Sequence, residues 1–290
     1  MIIVRLMGGL GNQMFQYAIG YSLAKKFNTT FKVDESLLNI DTKDLTYVKR
    51  DFDLNIFNLS TEYFEGVDNL QIKKTKRYFN KLLPLSLKKY YIENNFDFNN
   101  QVFSLNQKNI MLEGYWQSYK YFQFCNEDIY NSFRFSNQIL ENSYELQNYI
   151  INSNSVCLNV RRADFVSNSH HGTLEVEYYI RAIKALSENS KNKDFKFFIF
   201  SDDINWCKSN LNFIENSIIV DHSHKGVKFS NYLQLMTLCK NFIIPNSSFA
   251  WWAAWLSKNT DKIIICPKIW FLGEPNNYTR DLIPNNWIRI

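Results

Sequence analysis

The second half of the sequence alternates short apolar runs with segments long enough for helices. The apolar runs occupy residues 156–160, 195–200, 217–220, 241–244 and 262–266. Apolar residues recur at helical spacing between them, at 177–187, 231–239 and 249–256. Strands separated by helices of this length form parallel sheets that are covered by helices on both faces. The sequence therefore predicts a doubly wound α/β domain in residues 154–290.

The start of the chain predicts a second domain of the same class. Residues 2–6 are apolar, Gly8-Gly9-Leu10-Gly11 follows as a tight turn, and helical spacing then continues to Phe27. We expect Asn12 to cap this helix. The next apolar run, at 31–34, predicts a second strand.

The remainder of the first half has a weaker pattern. Residues 37–110 are aromatic and rich in Asn without a clear period, which predicts short helices and loops. Residues 111–118 read as a strand that leaves the sheet. A polar Asn-Ser-Asn segment at 152–154 marks the predicted boundary, so the domains are 1–153 and 154–290.

The composition indicates a globular protein of the cytoplasm. A hydrophobic content of 46% excludes disorder as a main feature. The five cysteines have no CxxC spacing, which predicts reduced core thiols rather than disulfides or structural zinc. We expect no signal peptide, because a glycine turn follows the first apolar run directly. No apolar run approaches the ~20 residues of a membrane span.

The net charge of +5 is concentrated in one segment. Residues 71–90 hold seven basic residues and no acidic ones, so the remaining chain carries −2. This distribution argues against a nucleic-acid surface spread over the protein. Leucines and aromatic residues alternate with the cations, a composition typical of segments that bind an anionic inner leaflet. A solvated basic loop is the alternative.

Polar groups follow three of the predicted strands of the second domain. They are Arg161-Arg162, Ser201-Asp202-Asp203 and Asn246-Ser247-Ser248. The carboxyl ends of parallel strands share one edge, so these groups should converge there. Two guanidinium groups and hydroxyls at a helix start suit a pyrophosphate. Alternatively, the arginines pair with Asp164 and neighbouring acids, and the Ser and Asp residues only cap helices.

Two other motifs are weaker. Gly8-Gly9-Leu10-Gly11-Asn12-Gln13 lacks the third glycine of a dinucleotide fingerprint, because position 14 is Met14, and it has no Walker lysine. A hydride-transferring enzyme is therefore disfavoured, although Gly9 and Gly11 allow a ligand to approach the backbone. Asp51-Phe52-Asp53 matches a pattern used by metal-dependent sugar transferases, but we interpret it as solvated surface away from the strand ends.

Taken in order along the chain, six segments resemble the bacterial α-1,2-fucosyltransferases of glycosyltransferase family 11. They are Gly8-Gly9-Leu10-Gly11-Asn12-Gln13-Met14-Phe15-Gln16-Tyr17, Gly114-Tyr115-Trp116-Gln117-Ser118, the arginine strand (similar to the family's HxRRxDY), Phe200-Ser201-Asp202-Asp203, the stretch from Asn246 to Trp255, and the stretch from Asp281 to Trp287.

This resemblance implies a GT-B fold, with two Rossmann-like domains facing a central cleft. It also implies GDP-fucose as donor, inversion at the anomeric carbon, and no metal or cofactor. The acceptor would be a galactose-terminated oligosaccharide of a surface glycan such as O-antigen. If that oligosaccharide is linked to a lipid pyrophosphate, the enzyme would have to contact the membrane to reach it. The protein would then lie peripherally on the inner face of the membrane.

The resemblance also assigns roles to residues. Arg161 and Asn12 would be catalytic, with Arg161 meeting the β-phosphate charge. Trp116 and Gln117 would bind the acceptor. The donor-binding set consists of Arg162, Asp164, Ser201, Asp202, Asn246, Ser247, Ser248, Phe249, Gly9 and Gly11, with Asp202 on the guanine or ribose side.

The sequence departs from the family pattern at four positions: Asn159 replaces His, Ala163 replaces Gly, Phe165 replaces Tyr, and Tyr232 replaces an acid. Because Asn does not titrate, a proton-carrying role of the His does not transfer. Glu175, Glu177 and an acid of the first domain are candidates for the general base. A weakly catalytic nucleotide-sugar or glycan-binding protein, or a transferase with another GDP-sugar, is the alternative.

Overall fold

The computed structural model describes residues 1–38, 50–68, 80, 83–105, 109–166 and 172–290, and for Asp164 it describes the backbone alone. Most of the basic segment at 71–90 lies outside these residues. Its predicted membrane contact therefore stays a prediction from the sequence.

The chain forms two compact units. The first contains Met1–Ser136 and Tyr278–Ile283, and the second contains Asn137–Asn277 and Pro284–Ile290. The unit boundary thus precedes the predicted position between residues 153 and 154. The helix that ends there packs on the first strand of the second sheet, so it belongs to the second unit.

The first unit contains one parallel sheet among its described residues. Its elements are β1 (Ile2–Arg5), α1 (Leu10–Phe27), β2 (Phe31–Asp34), β3 (Phe64–Asp68), β4 (Tyr90–Ile92), β5 (Ile110–Glu113) and α2 (Asn126–Ser132). The strand order is β3-β2-β1-β5-β4, and every neighbouring pair is parallel. The expectation of helices and loops alone in residues 37–110 was wrong, because β3 and β4 lie there.

Helix α1 is buried along most of its length and packs on β1 and β2. Gly20 permits this close approach, since a Cβ there would lie 2.6 Å from the Phe31 ring. The helix begins at Leu10 with Gly9 at the capping position. The predicted cap at Asn12 was therefore wrong, and the Asn12 side chain instead accepts a hydrogen bond from Gln117.

The second unit contains a larger parallel sheet. Its elements are α3 (Tyr144–Asn152), β6 (Ser155–Val160), α4 (Val176–Asn189), β7 (Lys196–Ser201), α5 (Ile204–Asn210), β8 (Ser217–Ile219), α6 (Ser230–Thr237), β9 (Asn241–Ile243), α7 (Ser248–Leu256), β10 (Ile264–Cys266) and β11 (Ile288–Arg289). The strand order is β11-β10-β9-β6-β7-β8, parallel throughout. The alternation predicted from the sequence is confirmed, and only the two-residue β11 was not predicted.

Short 3₁₀ turns connect these elements. They are Leu54–Ile56, Leu85–Leu87, Asn100–Ser104, Tyr119–Tyr121, Gln123–Cys125, Glu141–Ser143, Ala163–Phe165, His222–His224, Val227–Phe229 and Glu274–Tyr278. Within the described ranges, no helix combines the length and the apolar character needed to cross a bilayer.

The predicted core thiols are buried, and so are two large aromatic residues of α7. All five cysteines are free and buried, as expected for reduced thiols. Trp251 and Trp252 of α7 are fully buried and pack edge-to-face, with ring centroids 5.0 Å apart. These two tryptophans therefore stabilise the second unit and are not exposed to a sugar.

A segment near the carboxyl end of the chain completes the first unit. The Asp281 carboxylate accepts the Phe98 backbone N–H at 3.2 Å and pairs with Lys120 Nζ at 2.5 Å. The Ser118 hydroxyl donates to the Asp281 carbonyl at 2.8 Å. Asp281, which begins the last segment that resembles the family, thus anchors Tyr278–Ile283 to the rest of the first unit.

Candidate functional site

The three predicted polar groups of the second unit meet at one edge of its sheet. In the parallel register, Val160 lies beside Ser201 and Leu158 lies beside Ile243. Three residues further along both strands, the same register places Arg161 beside Asn246. The structure therefore brings the ends of β6, β7 and β9 together, as the sequence predicted.

Arg161 follows β6 and is held by an acid from the neighbouring strand. Its Nη1 atom lies 2.8 Å from Asp202 Oδ2, and its guanidinium lies 5.3 Å from the Phe165 ring centroid. The side chain is 29% exposed. Arg161 is therefore oriented by its neighbours and still accessible to an anion.

Arg162 is more deeply enclosed than Arg161. Its guanidinium stacks 4.3 Å from the Trp206 ring centroid, and Nη1 lies 3.1 Å from Glu175 Oε1. Its buried Nε has no hydrogen-bond partner among the described residues, and Asp203 Oδ2 lies 4.0 Å away. Glu175, a candidate base, is thus engaged in an ion pair with Arg162.

The Ser201-Asp202-Asp203 turn organises this edge. Asp202 accepts the Arg162 backbone N–H at 2.9 Å, so this carboxylate contacts both arginines. Asp203 caps α5 by accepting the Trp206 N–H at 3.0 Å, and Ser201 Oγ accepts the Asp203 N–H at 2.8 Å. The alternative that these acids only cap a helix is therefore correct for Asp203. Asp202 instead positions the two arginines. The side chain of Asp164 lies outside the described residues.

The Asn246-Ser247-Ser248 turn leads into α7. Asn246 Nδ2 donates to the Trp270 carbonyl at 3.1 Å, which fixes the loop. Ser247 occupies the capping position, but its side chain caps no helix N–H. The start of α7, where Ser248 and Phe249 are partly exposed, therefore offers backbone N–H groups that can bind an anion.

Asn159 replaces the family's His and has a structural role. It is buried in β6, and its Nδ2 atom donates to the Phe200 carbonyl at 3.0 Å. The Asn159 side chain therefore links β6 to β7 two residues before Arg161.

The glycine turn of the first unit brings predicted site residues together. Gly8 has φ +75, and a Cβ there would lie 2.3 Å from Asn12 Nδ2, so the turn requires glycine. Gln117 Nε2 donates to Asn12 Oδ1 at 2.7 Å. Apart from its chain neighbours, no atom of the described residues lies within 4 Å of the position that a Cβ would take on Gly9, so this side of the turn has room for a ligand.

Two glutamines of the first segment that resembles the family hold this turn in place. Gln16 Nε2 donates to the Gly114 carbonyl at 3.0 Å. Gln13 Nε2 donates to the Asp51 carbonyl at 2.8 Å, and its Oε1 accepts the Asp53 N–H at 2.9 Å. The Asp51-Phe52-Asp53 segment therefore lies against the glycine turn, with Asp51 exposed as predicted.

Glu93 is a site candidate that the sequence analysis missed. It follows β4, and its Oε2 accepts the backbone N–H groups of Tyr115 at 2.7 Å and Trp116 at 3.1 Å. Burial raises the pKa of this carboxyl to about 7, although the two hydrogen bonds act in the opposite direction. Glu93 therefore changes its charge near neutral pH.

Glu93 lines a cavity of about 280 Å³ in the first unit. Its walls include four aromatic residues, Tyr91, Phe98, Trp116 and Tyr121, and the charged Asp97 and Arg280. Trp116 has φ +56, an uncommon value for a residue other than glycine. The acceptor-side residue predicted from the sequence therefore lies in a cavity with an acid beside it.

The family model for "Glycosyl transferase family 11" matches residues 1–290. The chain belongs to glycosyl transferase family 11. The family 11 protein is 31% identical to the O-antigen biosynthesis glycosyltransferase WbnK of Escherichia coli, with 98% of this chain and 99% of that protein covered. It is 34% identical to an alpha-1,2-colitosyltransferase of Escherichia coli, with 100% and 98% covered. It is thus a glycosyltransferase.

A solved structure agrees with the fold of this family 11 protein. Fucosyltransferase NodZ from Bradyrhizobium superimposes with a TM-score of 0.51 at 14% identity, covering 87% of this chain and 91% of that chain. Together with the two parallel sheets, this similarity confirms the predicted α/β fold of GT-B type.

Proposed function

We propose that the protein is an inverting galactoside α-1,2-fucosyltransferase, which moves fucose from GDP-fucose to a terminal galactose of a surface glycan. The observation that carries this proposal is the position of Arg161, oriented by Asp202 and partly exposed where β6 ends. The family resemblance supplies the donor and the linkage. Membership of glycosyl transferase family 11 favours an enzyme over a binding protein.

The second unit supplies the groups that donor cleavage needs. The galactose hydroxyl loses its proton to a general base as its oxygen forms a bond to the anomeric carbon. The bond from that carbon to the diphosphate breaks at the same time, and its electron pair stays on the β-phosphate. Arg161 stabilises this charge, assisted by Arg162, the Ser247 and Ser248 hydroxyls and the first N–H groups of α7. Donor groups held in place before the reaction can stabilise a leaving group without a metal. Asn246 and Phe249 shape this site.

The first unit contributes the remaining proposed contacts. Gly9, Gly11 and Asn12 approach the fucose-phosphate, while Trp116 and Gln117 contact the acceptor. The hydrogen bond from Gln117 to Asn12 links these two groups of residues.

The direct test is transfer by the purified protein. With GDP-fucose and lactose, we expect release of GDP and a product whose NMR spectrum shows an α-1,2 linkage. A panel of other terminal sugars serves as the specificity control. Absence of GDP release with every galactoside would contradict the proposal.

A transferase for a related deoxysugar is the second candidate. The alpha-1,2-colitosyltransferase is 34% identical over the full length of this chain, which favours this possibility. Colitose is fucose without the 3-hydroxyl. Side-by-side turnover of GDP-fucose and GDP-colitose decides between the two, since a site that hydrogen-bonds the 3-hydroxyl rejects the sugar lacking it.

We propose that catalysis needs neither a metal nor a cofactor. The phosphate charge is met by arginines and amides, so transfer should continue in EDTA. Loss of activity in EDTA with recovery in Mn²⁺ would instead implicate Asp51-Phe52-Asp53, which lies against the glycine turn.

We also propose a cytoplasmic protein that binds the inner leaflet through residues 71–90 and acts on a lipid-pyrophosphate-linked acceptor. Only the sequence supports this part. Each basic residue near an anionic surface contributes on the order of 1 kcal/mol. Vesicles with anionic lipid should therefore sediment the wild type at low salt, but not a variant with Lys73, Lys74, Lys76 and Arg77 changed to Gln. Equal sedimentation of both would contradict the membrane role.

A further inference from the structure

The cavity beside Glu93 is formed by three parts of the first unit. Glu93 to Asn99 follow β4, Trp116 follows β5, and Arg280 belongs to the segment Tyr278–Ile283. Asp281 anchors that segment through Phe98 and Lys120. The walls are therefore held by contacts within one unit.

Two polar atoms of the cavity residues have no hydrogen-bond partner in the part of the chain that the structure describes. The indole N–H of Trp116 and Oδ1 of Asp97 are buried without a hydrogen bond among the described residues. Buried polar atoms in folded proteins are nearly always hydrogen-bonded to protein, water or a ligand. One donor and one acceptor in the same lining thus match a molecule that carries both kinds of group.

The remaining lining indicates the chemistry of that molecule. The acids Glu93 and Asp97 line the cavity with one cation, Arg280, whose Nη2 lies 3.8 Å from Asp97 Oδ2. This balance of charge disfavours a diphosphate. The rings of Tyr91, Trp116 and Tyr121 offer apolar surface between these polar groups. A volume of about 280 Å³ lies below the usual ~300–1,000 Å³ of small-molecule pockets. A single neutral sugar fits this combination.

We propose that this cavity binds one sugar residue of the acceptor glycan, with Glu93 and Asp97 accepting hydrogen bonds from its hydroxyls and the Trp116 indole donating to one of its oxygens. This inference rests on the proposed function and extends it from Trp116 and Gln117 to a subsite with two acids.

The experiment compares three variants, of which the first two keep the size of the side chain and the third replaces the indole by a smaller ring. Glu93→Gln and Asp97→Asn remove the charge, and Trp116→Phe removes the indole N–H. Glu127→Gln is the matched control, because Glu127 is an exposed acid of the same unit. Thermal melting of all four establishes that they are folded.

Two readouts are needed. Ligand-observed NMR with methyl β-D-galactopyranoside measures sugar binding directly, without a donor. Steady-state transfer from GDP-fucose separates the KM of the galactoside from the KM of the donor. A hydrogen bond to a charged group changes affinity by about 10- to 100-fold, so we expect Glu93→Gln and Asp97→Asn to raise the galactoside KM by that factor. The donor KM should stay unchanged, and the control should match the wild type.

The outcomes distinguish this inference from the proposed function. If the wild type fails to turn over GDP-fucose, the proposed function fails, while the NMR measurement still tests the cavity. If folded Glu93→Gln, Asp97→Asn and Trp116→Phe all bind the galactoside as the wild type does, the inference is overturned. A rise in the donor KM alone would also overturn it, since the cavity would then hold the donor.

Discussion

Nη1 of Arg161 lies 2.8 Å from Oδ2 of Asp202, at the adjoining ends of β6 and β7. The same carboxylate group accepts the backbone N–H of Arg162 through Oδ1. An acid of the protein therefore sets the direction of the first arginine and the backbone of the second. A bound phosphate would share Arg161 with this acid.

The first prediction concerns the planar shape of Arg161. Arg161→Lys keeps the charge but cannot form the two parallel hydrogen bonds of a guanidinium. We expect the transfer rate to fall by about 10²–10³, the typical loss when one pre-positioned donor is removed. The measurement is kcat/KM for GDP-fucose, alongside circular dichroism.

Arg181→Lys is the matched control, because Arg181 is an exposed arginine of α4. It should leave transfer unchanged. Near-normal turnover by Arg161→Lys would show that the donor site has been assigned to the wrong residues.

The second prediction separates two roles of Asp202. Asp202→Asn keeps an acceptor for the Arg162 N–H but removes the negative charge beside Arg161. If Asp202 mainly orients Arg161, kcat should fall by up to about 10²-fold through misplacement, while GDP binds at least as tightly. Calorimetry with GDP and steady-state kinetics give the two quantities. Weaker GDP binding would instead indicate direct contact with the nucleotide.

The central strands could be predicted from the sequence because both of their faces are buried. β6 and β7 read as continuous apolar runs, and buried parallel strands have that pattern. β3 has only intermediate and exposed positions, and β11 has two residues, so neither produces an apolar run. Edge strands of this kind are defined by their partners rather than by their own residues.

Some residues of the candidate site could likewise be predicted from the sequence, and others could not. Arg161 and Arg162 were predictable because they end a buried strand, and their charge is a local property. Glu93 was not, because its carboxylate depends on N–H groups of Tyr115 and Trp116, more than 20 residues along the chain. Contacts between distant segments are decided by the tertiary fold and are not visible in local spacing.

The third prediction concerns a buried cluster of charged residues in the first unit, at the carboxyl ends of β1, β2 and β5. Arg5 Nε lies 2.7 Å from Asp34, and Nη1 lies 3.0 Å from Glu113. Asp34 is completely buried. Arg5→Met leaves two acids without their cation, and removing one partner of a buried pair costs about 3–5 kcal/mol. Urea denaturation should show this loss in the free energy of unfolding.

Arg134→Met provides the comparison, since Arg134 is exposed and its side chain donates to Asn131 at the surface. Its free energy of unfolding should stay close to that of the wild type. Equal stability of the two variants would mean that Asp34 and Glu113 find other partners or take up protons.

The last prediction uses the raised pKa of Glu93. Burial raises it from 4.5 to about 7, so the folded protein retains a proton that the unfolded chain releases between those values. The folded state therefore loses stability as pH rises from about 4.5 to 7, by at most about 1.4 kcal/mol for each pH unit. Above pH 7 this contribution is constant. Urea denaturation at pH 5, 6, 7 and 8 measures the slope.

Glu93→Gln should remove this contribution, because Gln accepts the same backbone N–H groups and does not titrate. Asp97, Arg280, Tyr91 and Tyr121 line the same cavity, and Glu113 lies near Glu93 on the other side. These groups remain in the variant, so the difference in slope between the wild type and Glu93→Gln isolates the one carboxyl. Glu127→Gln should keep the wild-type slope. If Glu93→Gln loses stability with pH as steeply as the wild type, Glu93 is ionised well below pH 7.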